Sequence, residues 1–228
     1  MSDATNLERN GFTIVRGVLD REAVGELIAL LEPIITASPS AGVRGLAQKV
    51  PRIRALSESP AIKRLVEPVL GPQAKMIRSV LFNKDQETNW QVAWHQDLSI
   101  AVKDKIETDG FSSWSLKDGL VHVQPPVGVL ENMLTLRLHL DAANESNGAL
   151  WVLPGSHRFG RVPAGDAAAL AKRNSKTLCA AGPGDALLLR PLVLHASRKA
   201  VSSNPRRVIH LEFSGAALPE PLVWNEAA

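Results

Sequence analysis

Residues 185–197, DALLLRPLVLHAS, and residues 205–213, PRRVIHLEF, decide the fold. Both are short runs of leucine, valine and isoleucine, and only a polar loop separates them. Asp185–His195 and Arg207–Phe213 read as strands. Side chains alternate along a strand. Arg206, Val208, His210 and Glu212 then share one face, and Arg207, Ile209, Leu211 and Phe213 share the other. The same alternation puts His195 and Ser197 on one face.

Working outward, Lys75–Asn83, Met133–Leu140 and Ala149–Leu153 read as further strands. Asn147-Gly148 and Gly182-Pro183-Gly184-Asp185 are the turn signals around them. Many strands with few helices between them point to an antiparallel barrel or double sheet. The N-terminal third reads as helical. Asp20 caps a helix whose apolar positions, Val24, Leu27, Ile28 and Leu31, recur at three- and four-residue spacing, and Pro33 is expected to end it. A second helix is expected over Pro60–Leu70, ended by Gly71-Pro72. The expected organisation is one domain over 1–228, with a helical part to about residue 72 and a β core from about 73. The segment 98–129, with Phe111, Trp114, Lys117 and His122, reads as a long loop that closes over a site.

The chain has 228 residues and a formal net charge of +3. No basic run suggests nucleic acid. Residues 1–10 hold no apolar signal region, and the most apolar stretch, Ala186–Leu194, is interrupted and far too short to cross a bilayer. A cytoplasmic, soluble protein without a membrane partner is expected. Cys179 is the single cysteine, which excludes a disulfide scaffold; it reads as a packed thiol within an apolar strand.

The chemistry starts from Trp94-His95-Gln96-Asp97. In an extended segment His95 and Asp97 point the same way. A further histidine from another strand would complete a two-histidine, one-carboxylate facial triad, which leaves three metal positions open and suits non-haem iron(II). His95 and Asp97 alone read more readily as a surface histidine bonded to a carboxylate than as metal ligands. His195, at the end of an apolar strand, is the candidate third ligand. Arg206, one loop further on, can point into the same cavity beside Ser197, and a guanidinium fork with a hydroxyl suits a carboxylate ligand.

Four segments together resemble the phytanoyl-CoA dioxygenase family, which includes ectoine hydroxylases. They are Leu81–Lys84, His95–Asp97, NGALWVLPGSH (147–157), and His195 with Ser197 and Arg206. The resemblance covers most of the chain. It implies a mainly β protein with a double-stranded β-helix (jelly-roll, cupin-like) core and packed N-terminal helices. It also implies Fe(II) at His95, Asp97 and His195, with 2-oxoglutarate and O2 as cosubstrates. Arg206 and Ser197 would hold the far carboxylate of 2-oxoglutarate, with Lys49 and Arg137 at family positions near it. Arg137 departs from the pattern, since an aromatic residue stands there in relatives. Halogenating relatives replace the carboxylate ligand with a small residue, so Asp97 favours hydroxylation or a related oxidation, expected on a small-molecule substrate with release of succinate and CO2. Trp114 and Lys117 are the expected substrate contacts. His139 and His157 read as structural, His210 shares a face with Arg206 but reads more readily as lying away from the site, and Trp90, Trp94, Trp151 and Trp224 read as core or rim residues. The alternatives are a cupin-like zinc or manganese hydrolase or isomerase, which would need no keto-acid clamp, and a non-catalytic ligand-binding relative.

Overall fold

The computed structural model describes residues 3–37, 42–85 and 87–226. Along the chain the elements are α1 (Asp3–Asn10), β1 (Phe12–Val15), α2 (Arg21–Ala37), β2 (Gly42–Arg44), α3 (Leu46–Lys49), α4 (Pro51–Ser57), α5 (Pro60–Leu70), β3 (Lys75–Lys84) and β4 (Val92–His95). There follow β5 (Ile100–Val102), β6 (Ser112–Lys117), β7 (Leu120–Gln124), α6 (Val127–Glu131), β8 (Met133–His139), β9 (Leu150–Val152), α7 (Ala164–Arg173), β10 (Thr177–Leu178), β11 (Ala186–Leu189), β12 (His195–Ser197) and β13 (Arg206–Ser214). None of the described helices is long and apolar enough to cross a membrane.

Two antiparallel sheets form a double-stranded β-helix. The larger has the order β1-β11-β8-β13-β3-β2 and the smaller β10-β9-β12-β4. Leu27, Leu31, Ile53 and Ile62 from the helices pack on Leu134, Leu136, Ile209 and Leu211 of the larger sheet, so the helices cover its outer face. Between the sheets lie Leu150, Val152, Cys179, Leu187, Leu189 and Val193. The alternation expected of β13 is kept: its odd-numbered apolar residues face the helices and its even-numbered polar residues face inward.

Three expectations are corrected. Helix α2 does not stop at Pro33 but runs on to Ala37. Proline removes the bond to the carbonyl four residues back, and here Ala29 and Pro33 both lie on the exposed side, where water can take that carbonyl. Residues 185–195 are not one strand. Pro191 cannot donate to a ladder, and the Val193 N–H folds back onto the Arg190 carbonyl (3.0 Å). This turn carries the chain from β11 in the larger sheet to β12 in the smaller one.

The third correction concerns 98–129, which is not a loop. It holds a separate sheet, β5-β7-β6, whose Ile100, Val102, Phe111 and Val123 pack with Ile77, Met133 and Leu192 of the barrel. Residues 218–226 strap this sheet to the barrel. Trp224 bridges to Val102, Lys103 N–H donates to Val223 O (3.0 Å) and Asn225 N–H to Ala101 O (3.2 Å). The buried Glu226 carboxylate accepts from Ser79 N–H (2.9 Å) and Ser79 Oγ (2.5 Å) on β3.

Candidate active site

Strands β4 and β12 pair with His195 directly opposite His95. The two imidazole centroids lie 4.2 Å apart. Asp97 follows β4 and is tied by its N–H to the Pro191 carbonyl (2.9 Å), in the turn that leads to His195. Its carboxylate oxygens lie 3.8 Å from His95 Nε2 and 3.7 Å from His195 Nε2. One ligand atom from each of the three residues falls within 4.8 Å of the others.

The donor set fits a divalent metal. His95 Nδ1 lies 2.9 Å from the Ala93 carbonyl and His195 Nδ1 3.0 Å from the Val193 carbonyl. Carbonyls only accept, so both Nδ1 atoms carry the proton and both Nε2 lone pairs point at the common centre, the outer support metal-binding histidines use. Burial, which outweighs the pull of Asp97, pushes the His195 imidazole down to about 4, so it is neutral near pH 7. Burial works to raise the Asp97 carboxyl, but the His195 and His95 rings overcome it and hold it at about 2. One carboxylate and two neutral imidazoles are what an open facial site requires.

The triad opens into a cavity of about 110 Å³ lined also by Arg78, Phe82, Trp90, Arg137, Ser197 and Arg206. Arg206, 2 % exposed, spends Nε on the Asn147 carbonyl (3.3 Å), while its buried Nη1 has no partner among the described residues. A buried guanidinium with a free N–H is a place for an anion, so the arrangement fits the far carboxylate of a keto acid. Gly148 lets the chain pass closely here: a Cβ on it would sit 2.6 Å from the Arg198 carbonyl and 2.9 Å from Lys84 Nζ.

The cavity gathers the triad, Arg206, Ser197, Arg137 and His210. It leaves out three expected contacts. Lys49 ends α3, whose Leu46 and Ala47 are the buried residues, so it is turned out into a separate cleft with Arg44, Gln48 and Asp118. Trp114 lies on β6, where its indole N–H donates to Glu107 (3.1 Å), and Lys117 is exposed at the end of the same strand. His157 faces the Glu8 carbonyl (3.0 Å), away from the triad. Cys179 is buried, and burial pushes its thiol up to about 12, which makes it inert.

Sequence reasoning gave no role to Lys84, Arg78 or Glu212. Lys84, 1 % exposed, donates to Ser197 Oγ (3.1 Å) and the Arg198 carbonyl (2.7 Å) and lies 5.0 Å from the Trp90 ring centroid. Burial first, then Arg206 and Arg137, bring its pKa down to about 8. The Ser197 hydroxyl accepts from Lys84 and donates to the Gly148 carbonyl (2.9 Å). Lys84 stands directly opposite Arg206 in the β3–β13 register, and its place in the Leu81–Lys84 segment was its one signal in the sequence. Arg78 and Glu212 pair at 2.7 Å, and they too are opposite each other in that register.

A double-stranded β-helix carrying this triad and an inward arginine defines the class of iron(II)- and 2-oxoglutarate-dependent dioxygenases, and the protein is an enzyme of that class. The sequence profile of the phytanoyl-CoA dioxygenase family matches residues 7–208, and the chain belongs to this family. It is 25 % identical to the ectoine dioxygenase of Nocardia farcinica, over 95 % of this chain and 79 % of that protein. Its fold is similar to the crystal structure of EctD from S. alaskensis with bound Fe (TM-score 0.74, 19 % identity, 96 % of this chain and 78 % of that one). It is also similar to the epimerase SnoN in complex with Fe3+, alpha ketoglutarate and nogalamycin RO (TM-score 0.72, 18 % identity, 93 % and 82 %).

Proposed function

We propose that His95, Asp97 and His195 hold the iron, that Arg206 anchors the far carboxylate of 2-oxoglutarate, and that the enzyme hydroxylates a small molecule. The observation that carries this reading is the β4–β12 register, which sets two imidazoles and one carboxylate around a centre facing the cavity that Arg206 lines. Iron(II) with bound 2-oxoglutarate and O2 supplies the oxidising chemistry, releasing succinate and CO2 and giving one oxygen atom to the substrate.

The chain's own residues do the rest. The Ala93 and Val193 carbonyls fix both imidazole tautomers and ring orientations. Asp97 contributes the one negative charge of the triad. Arg206 offers a preorganised fork that needs no rearrangement to meet a carboxylate. Lys84 and the Gly148 carbonyl occupy the Ser197 hydroxyl, so Ser197 holds Lys84 and the 147–148 turn in place beside Arg206. Phe82, Trp90, Val92 and Leu150 wall the cavity and limit the water near the reacting bond.

The test is anaerobic titration of iron(II) and 2-oxoglutarate, read by the visible charge-transfer band of the chelate. The parent should show the band. His95→Ala, Asp97→Ala and His195→Ala should each lose it and abolish substrate-stimulated succinate formation, while the far-ultraviolet circular dichroism stays that of the parent. A parent without the band, or a triad variant with near-normal iron-dependent turnover, would sink the assignment.

A further inference from the structure

The cavity holds a guanidinium that forms no ion pair among the described residues; the Asp97 carboxylate acts on it only at a distance. Arg78 has Glu212, and Arg206 has the cosubstrate under the reading above, on which this inference rests. Arg137, at the middle of β8 and 7 % exposed, has neither. Its Nη1 donates to His210 Nδ1 (3.0 Å), and its guanidinium lies 5.1 Å from the centroid of Phe82. Its buried Nε has no partner among the described residues.

His210 carries no charge to offer. Its Nδ1 accepts from Arg137, so the ring proton sits on Nε2, which it gives to Glu212 Oε1 (3.0 Å). Glu212 in turn is engaged by Arg78. The chain Arg78–Glu212–His210–Arg137 therefore runs along the inner faces of β3, β13 and β8. It fixes the direction of the Arg137 side chain without cancelling its charge. Around the cavity Arg78, Lys84, Arg137 and Arg206 stand against two carboxylates, Asp97 and Glu212. A divalent iron and a dianionic keto acid cancel each other and leave that imbalance unchanged. An uncompensated buried cation is costly, and a ligand that brings the missing anion recovers the cost. The cavity is small, so the anionic group that enters it must be compact.

We propose that Arg137 recognises the prime substrate through a carboxylate, so that the enzyme oxidises a small carboxylic acid. Arg137 is then a specificity-determining residue, and Glu212 and His210 are its positioning residues.

The experiment uses the full chain loaded anaerobically with iron(II) and 2-oxoglutarate. Matched probes, acetate against acetamide and benzoate against benzamide, are added at equal ionic strength, and the thermal midpoint is read. In the parent the acids should raise the midpoint and the amides should not. Arg137→Gln should erase the difference, a loss of at least about tenfold in acid affinity for a charge-assisted contact. It should weaken 2-oxoglutarate, read from the chelate band, far less than Arg206→Gln does, because Arg137 acts on Arg206 only through space. Arg137→Lys, which keeps the charge, should retain part of the acid effect and guards against a misfolded glutamine variant. Acids no better than amides in the parent, or an acid effect that survives Arg137→Gln, would overturn the proposal. So would an Arg137→Gln variant that weakens 2-oxoglutarate as much as Arg206→Gln, since Arg137 would then be a second cosubstrate clamp. A parent that forms no chelate band would instead defeat the iron and 2-oxoglutarate assignment itself.

Discussion

Two adjacent arginines on β13 have opposite fates, and the strand's alternation decides which. Arg206 points inward to the cavity. Arg207 points outward, where Nε and Nη2 fork onto the two oxygens of Asp141, both at 2.8 Å, and Nη1 reaches Glu32 at 3.3 Å. Arg206→Ala should therefore raise the 2-oxoglutarate requirement about 30- to 1,000-fold, on the order of 2–4 kcal/mol for a lost charge-assisted contact in a buried site. Arg207→Ala should leave that requirement alone and lower the urea midpoint by an amount equivalent to about 1–3 kcal/mol, because Asp141 loses a bidentate partner. Titration of the chelate band and urea denaturation separate the two effects. The reverse pattern would mean that the β13 register is off by one. This much was legible in the sequence, because a period of two survives any tertiary context. The same rule could not reveal that Lys84 stands opposite Arg206 or Arg78 opposite Glu212, since cross-strand register between β3 and β13 depends on contacts 120 or more residues apart.

At the scale of elements, the turn before β11 does more than reverse the chain. Asp185 accepts from Gly17 N–H (2.9 Å), Gly182 N–H (2.6 Å) and Arg16 Nη1 (2.5 Å), so it clasps the end of β1 to the start of its partner strand. Burial works to raise the Asp185 carboxyl, but these three donors outweigh it and hold the pKa below the ordinary value. A carboxyl whose folded pKa is depressed contributes stability above its unfolded pKa and loses it as pH falls through the folded one. Asp185→Asn should thus cost about 1–3 kcal/mol at pH 7. The gap to the parent should shrink as pH drops below about 4, the unfolded carboxyl value. Urea melts at a series of pH values check this; a gap that stays constant down to pH 2 would show that the charge is not what Asp185 contributes. The turn itself was readable from Gly182-Pro183-Gly184-Asp185. The break at Pro191 was not read, because apolar residues continue on both sides of it and composition cannot tell one strand from two in different sheets. The strands of 98–129 escaped for a related reason: β5 has three residues, and β6 is an edge strand with exposed positions such as Leu116, 70 % exposed, so neither leaves a period to detect.

At the scale of the molecule, the small sheet β5-β7-β6 packs on Ile77, Met133 and Leu192 of the barrel, is pinned at its hairpin by the Arg44–Asp118 pair, and is strapped by residues 218–226. A loop of the expected kind would open by itself, whereas β5, β6 and β7 are held by a strap whose far end, Glu226, is anchored on β3 of the barrel. Trp224 is the centre of that strap: it is 7 % exposed, packs with Leu218, Leu222 and Ile77, and donates its indole N–H to the Ala216 carbonyl (3.2 Å). Trp224→Ala should cost about 3–5 kcal/mol, the usual range for emptying a buried tryptophan site. The loss should not be uniform, because local openings follow packing units. Amides of 100–124 should exchange much faster in the variant, while those of β8 and β13, buried between the helices and the inner core, should change only with global stability. Hydrogen exchange read by mass spectrometry distinguishes these segments. Uniform acceleration across 100–124 and 133–139 would mean that sheet and barrel unfold as one unit, whereas selective acceleration would make the strap the element that holds the small sheet on the barrel.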